Sequence, residues 1–256
     1  MNILVSIKRV PGASGRITLT DDAQAVDARH VGYTLSPHEE CAVELAVQTV
    51  EAHGGAATVL SVGIEDVIDQ MRDALSVGIG SGILVETDAS TWAPGDVAHA
   101  IADVVTTHEA TGQSYDLLLF GNEAADTGDF QVGIAVAHRL GLPCVTGVKA
   151  FEVTASGVTA RRDGPDGVEV FELTLPAVLT VRDGAVIPRY PSVPGRIKAK
   201  RAPIERLTPS ITPVGNGRIR LTVPPEVPSR VEVLGQGADA AAAAVDLFER
   251  LGLVTR

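Results

Sequence analysis

Short apolar runs alternate with helical stripes along the first 140 residues. The runs are Asn2–Lys8, Ala57–Val62, Gly82–Glu86 and Asp116–Phe120, and the helices read as Pro37–His53, Glu65–Val77, Asp96–Thr111 and Gly128–Leu140. Continuously apolar strands are buried on both faces, and a helix between successive strands supplies the crossover that parallel pairing needs. The expected fold is therefore α/β, a doubly wound parallel sheet of Rossmann-like type. Val148–Val153, Gly157–Arg162 and Val168–Leu175 alternate in a way that predicts antiparallel edge strands, with Ala177–Val181 as the last core strand. Pro11–Asp27 reads as a polar loop with a short strand at Arg16–Leu19.

One helix start is marked by several signals at once. Ser36 stands at the N-cap, Pro37 at the first helical position and Glu39 three residues on, which is a capping box. Behind it Ala42, Val43, Ala46, Val47 and Val50 form an apolar stripe. Past Ile204 the pattern changes. Pro203, Pro209, Pro213, Pro224, Pro225 and Pro228 interrupt every helix, which describes an extended arm, and Gly237–Leu251 closes the chain as an Ala-rich helix. The organisation read from this is an α/β domain over 1–205 and an arm over 206–256, whose closing helix must either pack back on its own domain or dock on another chain, the second being the expectation.

The stretch after the Leu117–Gly121 run carries the clearest chemical signal. Asn122 to Gly133 is a turn of small and acidic residues leading into the helix that ends at Leu140. A strand, a turn and a helix N-terminus together make an anion site, because unpaired backbone N–H groups and the helix dipole converge there. In a doubly wound sheet such a site sits at the carboxyl ends of the strands, where strand order reverses. The acidic residues in the turn leave the binding of a phosphate to backbone N–H groups. An ordinary βα corner is the plainer alternative.

Composition removes whole classes of function. A net charge of −11 opposes binding to nucleic acid or anionic membranes. Aromatic content of 4% leaves too few platforms for base stacking or carbohydrate. No run approaches the roughly 18 apolar residues of a membrane span. The first strand starts almost at Met1, with no export signal ahead of it, so the chain is expected to be cytoplasmic. Cys41 and Cys144 are then buried small hydrophobes, and no CxxC or HExxH pattern offers a metal site. Gly78-Ile79-Gly80-Ser81-Gly82 follows a helix and precedes a strand, the wrong order for a dinucleotide fingerprint. No GxxxxGK[ST] loop, GxSxG elbow or Ser/His/Asp set is found, so catalytic residues are expected to be none.

Four segments stand out in collinear order: Lys8-Arg9-Val10-Pro11; Ser36-Pro37-His38-Glu39-Glu40-Cys41-Ala42-Val43-Glu44; Gly121-x-x-Ala124-Ala125-Asp126 with Gln131-Val132-Gly133 and Leu140-Gly141-Leu142-Pro143; and Leu175 to Val181 with Pro188 to Lys200. Together they resemble electron transfer flavoprotein β subunits. The match covers residues 1–205 closely and the tail more loosely. The resemblance implies an AMP site in this subunit, with adenine and ribose contacts from Ser6, Ser36, Pro37, His38, Glu39 and Val62. It assigns phosphate and ribose contacts to Glu123, Ala124, Ala125, Asp126, Thr127, Gly128, Asp129, Phe130, Gln131, Val132, Gly133 and Ile134. From the residues alone, Ser36 is an N-cap, Val62 a core residue and His38 a solvated side chain.

The resemblance also implies a partner-recognition loop at about 184–200, with Arg189, Tyr190, Pro191, Ser192, Val193, Pro194 and Gly195 docking on flavin-dependent dehydrogenases such as acyl-CoA dehydrogenases. Arg182 to Arg206 holds seven of the 21 basic residues, a positive island on an acidic chain. The implied assembly is a heterodimer with an α subunit that holds FAD and passes electrons to a quinone-linked acceptor. This copy departs from the family pattern at Gly12, at Thr127-Gly128-Asp129-Phe130, at Val132 and Ile134, and at Arg182 to Ile187. Alternatives are an electron-bifurcating relative with a second FAD at this site, a stand-alone ATP-binding α/β protein, and a binding module that has lost its nucleotide.

Overall fold

The computed structural model describes residues 1–12, 17–225, 228 and 231–254. Strands β1 (Asn2–Ser6), β4 (Ala56–Gly63), β5 (Ser81–Glu86), β6 (Leu117–Gly121) and β10 (Ala177–Val181) form the parallel heart of one nine-stranded sheet. Its order is β11-β5-β4-β1-β6-β10-β7-β8-β9, where β7 is Cys144–Thr154, β8 Gly157–Gly164, β9 Gly167–Leu173 and β11 Ile204–Leu207. β2 (Val10–Pro11) and β3 (Tyr33–Thr34) make a separate antiparallel pair.

Period-two alternation divides each core strand between two apolar layers. Ile3 and Val5, Leu117 and Leu119, and Ala177, Leu179 and Val181 face one layer, covered by α1 (Pro37–His53), α2 (Ile68–Ser76) and α5 (Val193–Arg201). Leu4, Leu118, Phe120 and Val178 face the other, covered by α3 (Pro94–Ala110) and α4 (Val132–Leu140). The parallel heart of the sheet is thus buried on both sides, and each fully buried aliphatic side chain contributes about 1.5–3 kcal/mol. The chain winds from β1 through β4 to β5, then crosses to β6 on the far side of β1. Strand order therefore reverses between β1 and β6, and the crevice between the loops that follow them is the switch point.

The doubly wound α/β fold is as expected, with three corrections in detail. The first is the start of α4 at Val132 rather than Gly128, because Gly128 has φ +69, outside the helical region. A second concerns β7, which begins at Cys144 and pairs parallel with β10 before turning antiparallel to β8, with register shifts on both sides. The expected second helix divides, third, into a 3-10 turn at Glu65–Val67 and α2. Ala177–Val181 is the last fully buried strand, as expected, and β11 adds a half-buried edge strand that pairs in parallel with β5. Part of the expected Arg16–Leu19 strand lies outside the described residues; Leu19 makes a single antiparallel bridge to Val26.

The chain divides into two compact units, Met1–Leu221 and Thr222–Arg256. In the first, residues 214–221 hydrogen-bond back onto their own domain. The buried Asp96 carboxylate of α3 accepts from Val214 N and Gly215 N, both at 2.9 Å, and Leu221 N donates to Ala23 O at 2.8 Å. In the second, a 3-10 turn (Gly237–Ala240) leads into α6 (Ala241–Arg250), on which Val245 and Phe248 are exposed.

Candidate functional site

The switch-point crevice is walled by two helix starts of opposite character. At α1 the Ser36 hydroxyl accepts from Glu39 N and the Glu39 carboxylate accepts from Ser36 N, both at 3.3 Å. The other Glu39 oxygen accepts from Lys8 N, in the loop after β1, at 2.8 Å. Glu39 is buried, and desolvation pushes its pKa up to about 8 against the opposing pull of the Ser36 and Lys8 N–H groups. Gly121, the last residue of β6, lies under this turn. A Cβ there would come within 2.7 Å of Glu39 Cγ and 3.3 Å of Glu39 N, so only glycine admits α1 this close to the strand.

At α4 no described side chain caps the helix, and its first turn carries no acidic residue. The N–H groups of Val132, Gly133 and Ile134 are those that an α-helix leaves without intrahelical partners. Gly133 holds the helix against the sheet; a Cβ there would sit 2.7 Å from Thr180 Cγ2 and 3.2 Å from the Phe120 ring.

The turn between β6 and α4 is built by its own backbone and pinned where it leaves β6. Ala124 N donates to Asp129 O at 3.0 Å and Gly128 N to Ala124 O at 2.8 Å. Asn122 Oδ1 accepts from Gly147 N at 2.7 Å and from the Thr180 hydroxyl at 2.6 Å, fixing the exit from β6. Two contacts cross the crevice. Lys8 Nζ pairs with Asp126 Oδ1 at 2.7 Å, and His38 Nε2 lies 3.9 Å from Glu123 Oε2.

The structure brings Ser36, Pro37, His38 and Glu39 to one side of this crevice and the turn from Glu123 to Gln131 to the other, with Val132, Gly133 and Ile134 opening α4. Ser6 ends β1, half-buried between Leu60 and Phe120. Val62 is two residues past Leu60 on the neighbouring β4, half-buried and packed on the α3–α4 layer. Ala125, Thr127 and Gly128 are exposed, Ala124 and Asp129 half-buried, and Phe130 and Ile134 stand 50% and 46% exposed at the rim. His38 is not a solvated side chain, since its Nδ1 accepts from Asp183 N at 2.9 Å and its side chain is 16% exposed. Lys8 and Asn122 were missed as site residues, although Lys8 belongs to the short motif that closes the first strand.

The 182–201 segment is not a loop throughout. Ser192 Oγ accepts from Gly195 N at 3.1 Å and caps α5, whose C-terminus is closed by Arg72 Nη1 on Ala199 O and, at 2.7 Å, Ala202 O. Tyr190, at 96%, and Val193, at 73%, are fully open, and Arg196, Lys198, Lys200 and Arg201 are exposed cations on the same helix. Val193, Pro194 and Ile197 line a groove of about 630 Å³ that runs beside Gly80. Arg189 behaves differently, its guanidinium gripping Glu44 at 2.9 Å and Glu51 at 2.7 Å. Cys41 is buried; Cys144 is half-buried, with its thiol pushed up to about 11 by desolvation.

These features match a known family. Residues 25–212 match the electron transfer flavoprotein domain. The chain belongs to the electron transfer flavoprotein β-subunit family. It is 34% identical over 207 residues to the electron transfer flavoprotein subunit beta of Bacillus subtilis, covering 81% of this chain and 79% of that one. The subunit beta of Syntrophomonas wolfei is 33% identical over 208 residues, covering 80% and 78%. That of Mycobacterium leprae is 33% identical over 215 residues, covering 81% and 79%. In this β-subunit relative, no helix among the described residues is long and apolar enough to cross a membrane.

Proposed function

We propose that this chain is the β subunit of a cytoplasmic heterodimeric electron transfer flavoprotein, with AMP held in the switch-point crevice as a structural nucleotide. The observation that carries the reading is the contrast between the two helix starts there. The N-terminus of α1 is closed by its own side chains, whereas that of α4 is uncapped and free of acidic residues. The N–H groups of Val132, Gly133 and Ile134 suit a phosphate, as backbone donors do not compete with the acidic turn beside them. Lys8 neutralises Asp126 at the mouth, and Ser36 to Glu39 with Val62 offer the opposite wall to the adenosine.

The electron-carrying chemistry belongs to the FAD held mainly by the α subunit. This chain's residues position rather than react. Tyr190, just ahead of α5, with Val193 and Pro194 at the start of that helix, seats a flavin-dependent dehydrogenase, and the exposed cations of the helix suit an acidic partner surface. Electrons then leave toward a quinone-linked acceptor. Of the Pro-rich arm expected over 206–256, the part beyond Leu221, a unit of its own, packs on the α subunit, where Phe248 and Leu251 become covered.

The reading is tested by co-expressing the chain with its α subunit, denaturing the purified heterodimer and measuring the released nucleotides. One FAD and one AMP per heterodimer are expected. A second FAD in place of AMP would transfer the chain to the bifurcating branch. A chain that purifies alone and turns over ATP would overturn both.

A further inference from the structure

Helix α1 touches both of the sites assigned above. Its first turn walls the crevice, and His38, Cys41, Glu44 and Glu51 run along its side at spacings that keep them in reach of one neighbouring segment. That segment is Asp183–Arg189, and it is fastened in constant register, each bond joining residues 145 apart. Asp183 N donates to His38 Nδ1 at 2.9 Å, Cys41 Sγ donates to Val186 O at 3.4 Å, and Arg189 N donates to Glu44 Oε2 at 3.2 Å. The Arg189 guanidinium closes the strap on Glu44, whose side chain is 4% exposed, and on Glu51. The next residue is the open Tyr190.

His38 joins the two ends. Its Nδ1 holds the start of the strap, while its Nε2 faces Glu123 in the turn that borders the crevice. We propose that α1 couples the crevice to the docking face: a nucleoside monophosphate that orders the Glu123 turn fixes the His38 side chain, thereby orders the Asp183–Arg189 strap, and so presets Tyr190 and α5 for a protein partner. The inference rests on the readings of the crevice and of Tyr190–Gly195 given above. It makes His38 and Arg189 positioning residues, and it moves Arg189 from the docking surface to the strut beneath it. Coupling of this kind is reciprocal, so a docked partner also slows nucleotide release.

The test uses the intact heterodimer, AMP-loaded and AMP-depleted, with an acyl-CoA dehydrogenase as electron donor. Removing AMP is expected to speed amide exchange across residues 182–190 and to raise KM for the dehydrogenase about fivefold with kcat unchanged, at the lower end of usual inter-site coupling. His38→Ala with AMP bound reproduces both effects. His38→Asn, whose amide oxygen can accept from Asp183 N but which has no counterpart of Nε2, restores slow exchange at 182–190 and leaves it independent of AMP. AMP that binds and leaves without altering either the exchange of 182–190 or KM would overturn the coupling while the nucleotide reading stands. That comparison needs no variant, so a poorly folding His38→Ala does not rescue the idea. A heterodimer that takes up no AMP, or a KM unmoved by Tyr190→Ala and Val193→Ala, would remove the underlying reading and the coupling with it.

Discussion

Two helices begin within reach of the same crevice, and they end their hydrogen bonding in opposite ways. α1 uses Ser36 and Glu39 to satisfy its own first turn, buries the carboxylate, and draws the loop after β1 against it through Lys8 N. α4 does none of this. A helix start closed by its own side chains is a structural joint. One left open at a topological switch point has donors to offer a ligand, and the difference assigns mechanical work to α1 and binding to α4.

The largest expected effect concerns the closed end. Glu39 carries a folded pKa of about 8 against an ordinary 4.5, so between these values the folded chain holds a proton that the unfolded chain has lost. Stability therefore falls as pH rises through that window, by up to about 1.4 kcal/mol per pH unit, and levels off above it. Glu39→Gln is expected to flatten the fall, as read from urea midpoints across the window; a variant that keeps the wild-type slope would show that another group is responsible. Next in size is Gly133→Ala, which places a methyl group against Thr180 and Phe120 and pushes α4 off the sheet. It is expected to cost about 1–3 kcal/mol, as overpacking does, and to lower the AMP content of the purified heterodimer. Full AMP occupancy in that variant would detach binding from the placement of α4.

Ser36→Ala should cost about 1 kcal/mol through the lost cap and leave AMP content nearly unchanged, because the cap serves the helix. A loss of nucleotide out of proportion to the loss of stability would make the hydroxyl a ligand contact. The smallest effect has the opposite sign. Ile134→Glu puts a carboxylate in the first turn of α4, where it should gain about 0.3–1 kcal/mol from the helix dipole and repel a phosphate. A slightly higher Tm with less AMP is the expected pair of results; unchanged AMP would argue against phosphate at that end.

The sequence was most legible where one local signal decides. The Ala177–Val181 run is the strand β10 residue for residue, because continuous burial on both faces demands continuous apolarity. The capping box at Ser36 is likewise visible in four residues. The α5 helix was missed although Ser192-Val193-Pro194 repeats the Ser/Pro start signal of α1, since the surrounding Pro191, Pro194 and Gly195 read as turn chemistry. β11 is four residues long and only half-buried at the sheet edge, too short for a period to stand out. In the crevice, the turn and both helix starts could be read from strand–turn–helix order. The contacts that tie them together could not. Lys8 to Asp126 spans 118 residues and His38 to Asp183 spans 145, and neither spacing leaves a mark in the local pattern.

The central claim is that the open start of α4 holds the phosphate of a nucleotide. Its most direct test is amide hydrogen exchange on the heterodimer, with and without AMP, resolved at Val132, Gly133 and Ile134. The account predicts that AMP slows exchange at these amides and leaves Glu39 N and Glu40 N, already bonded to Ser36, little changed. AMP bound at full occupancy with no protection at the start of α4 would contradict it.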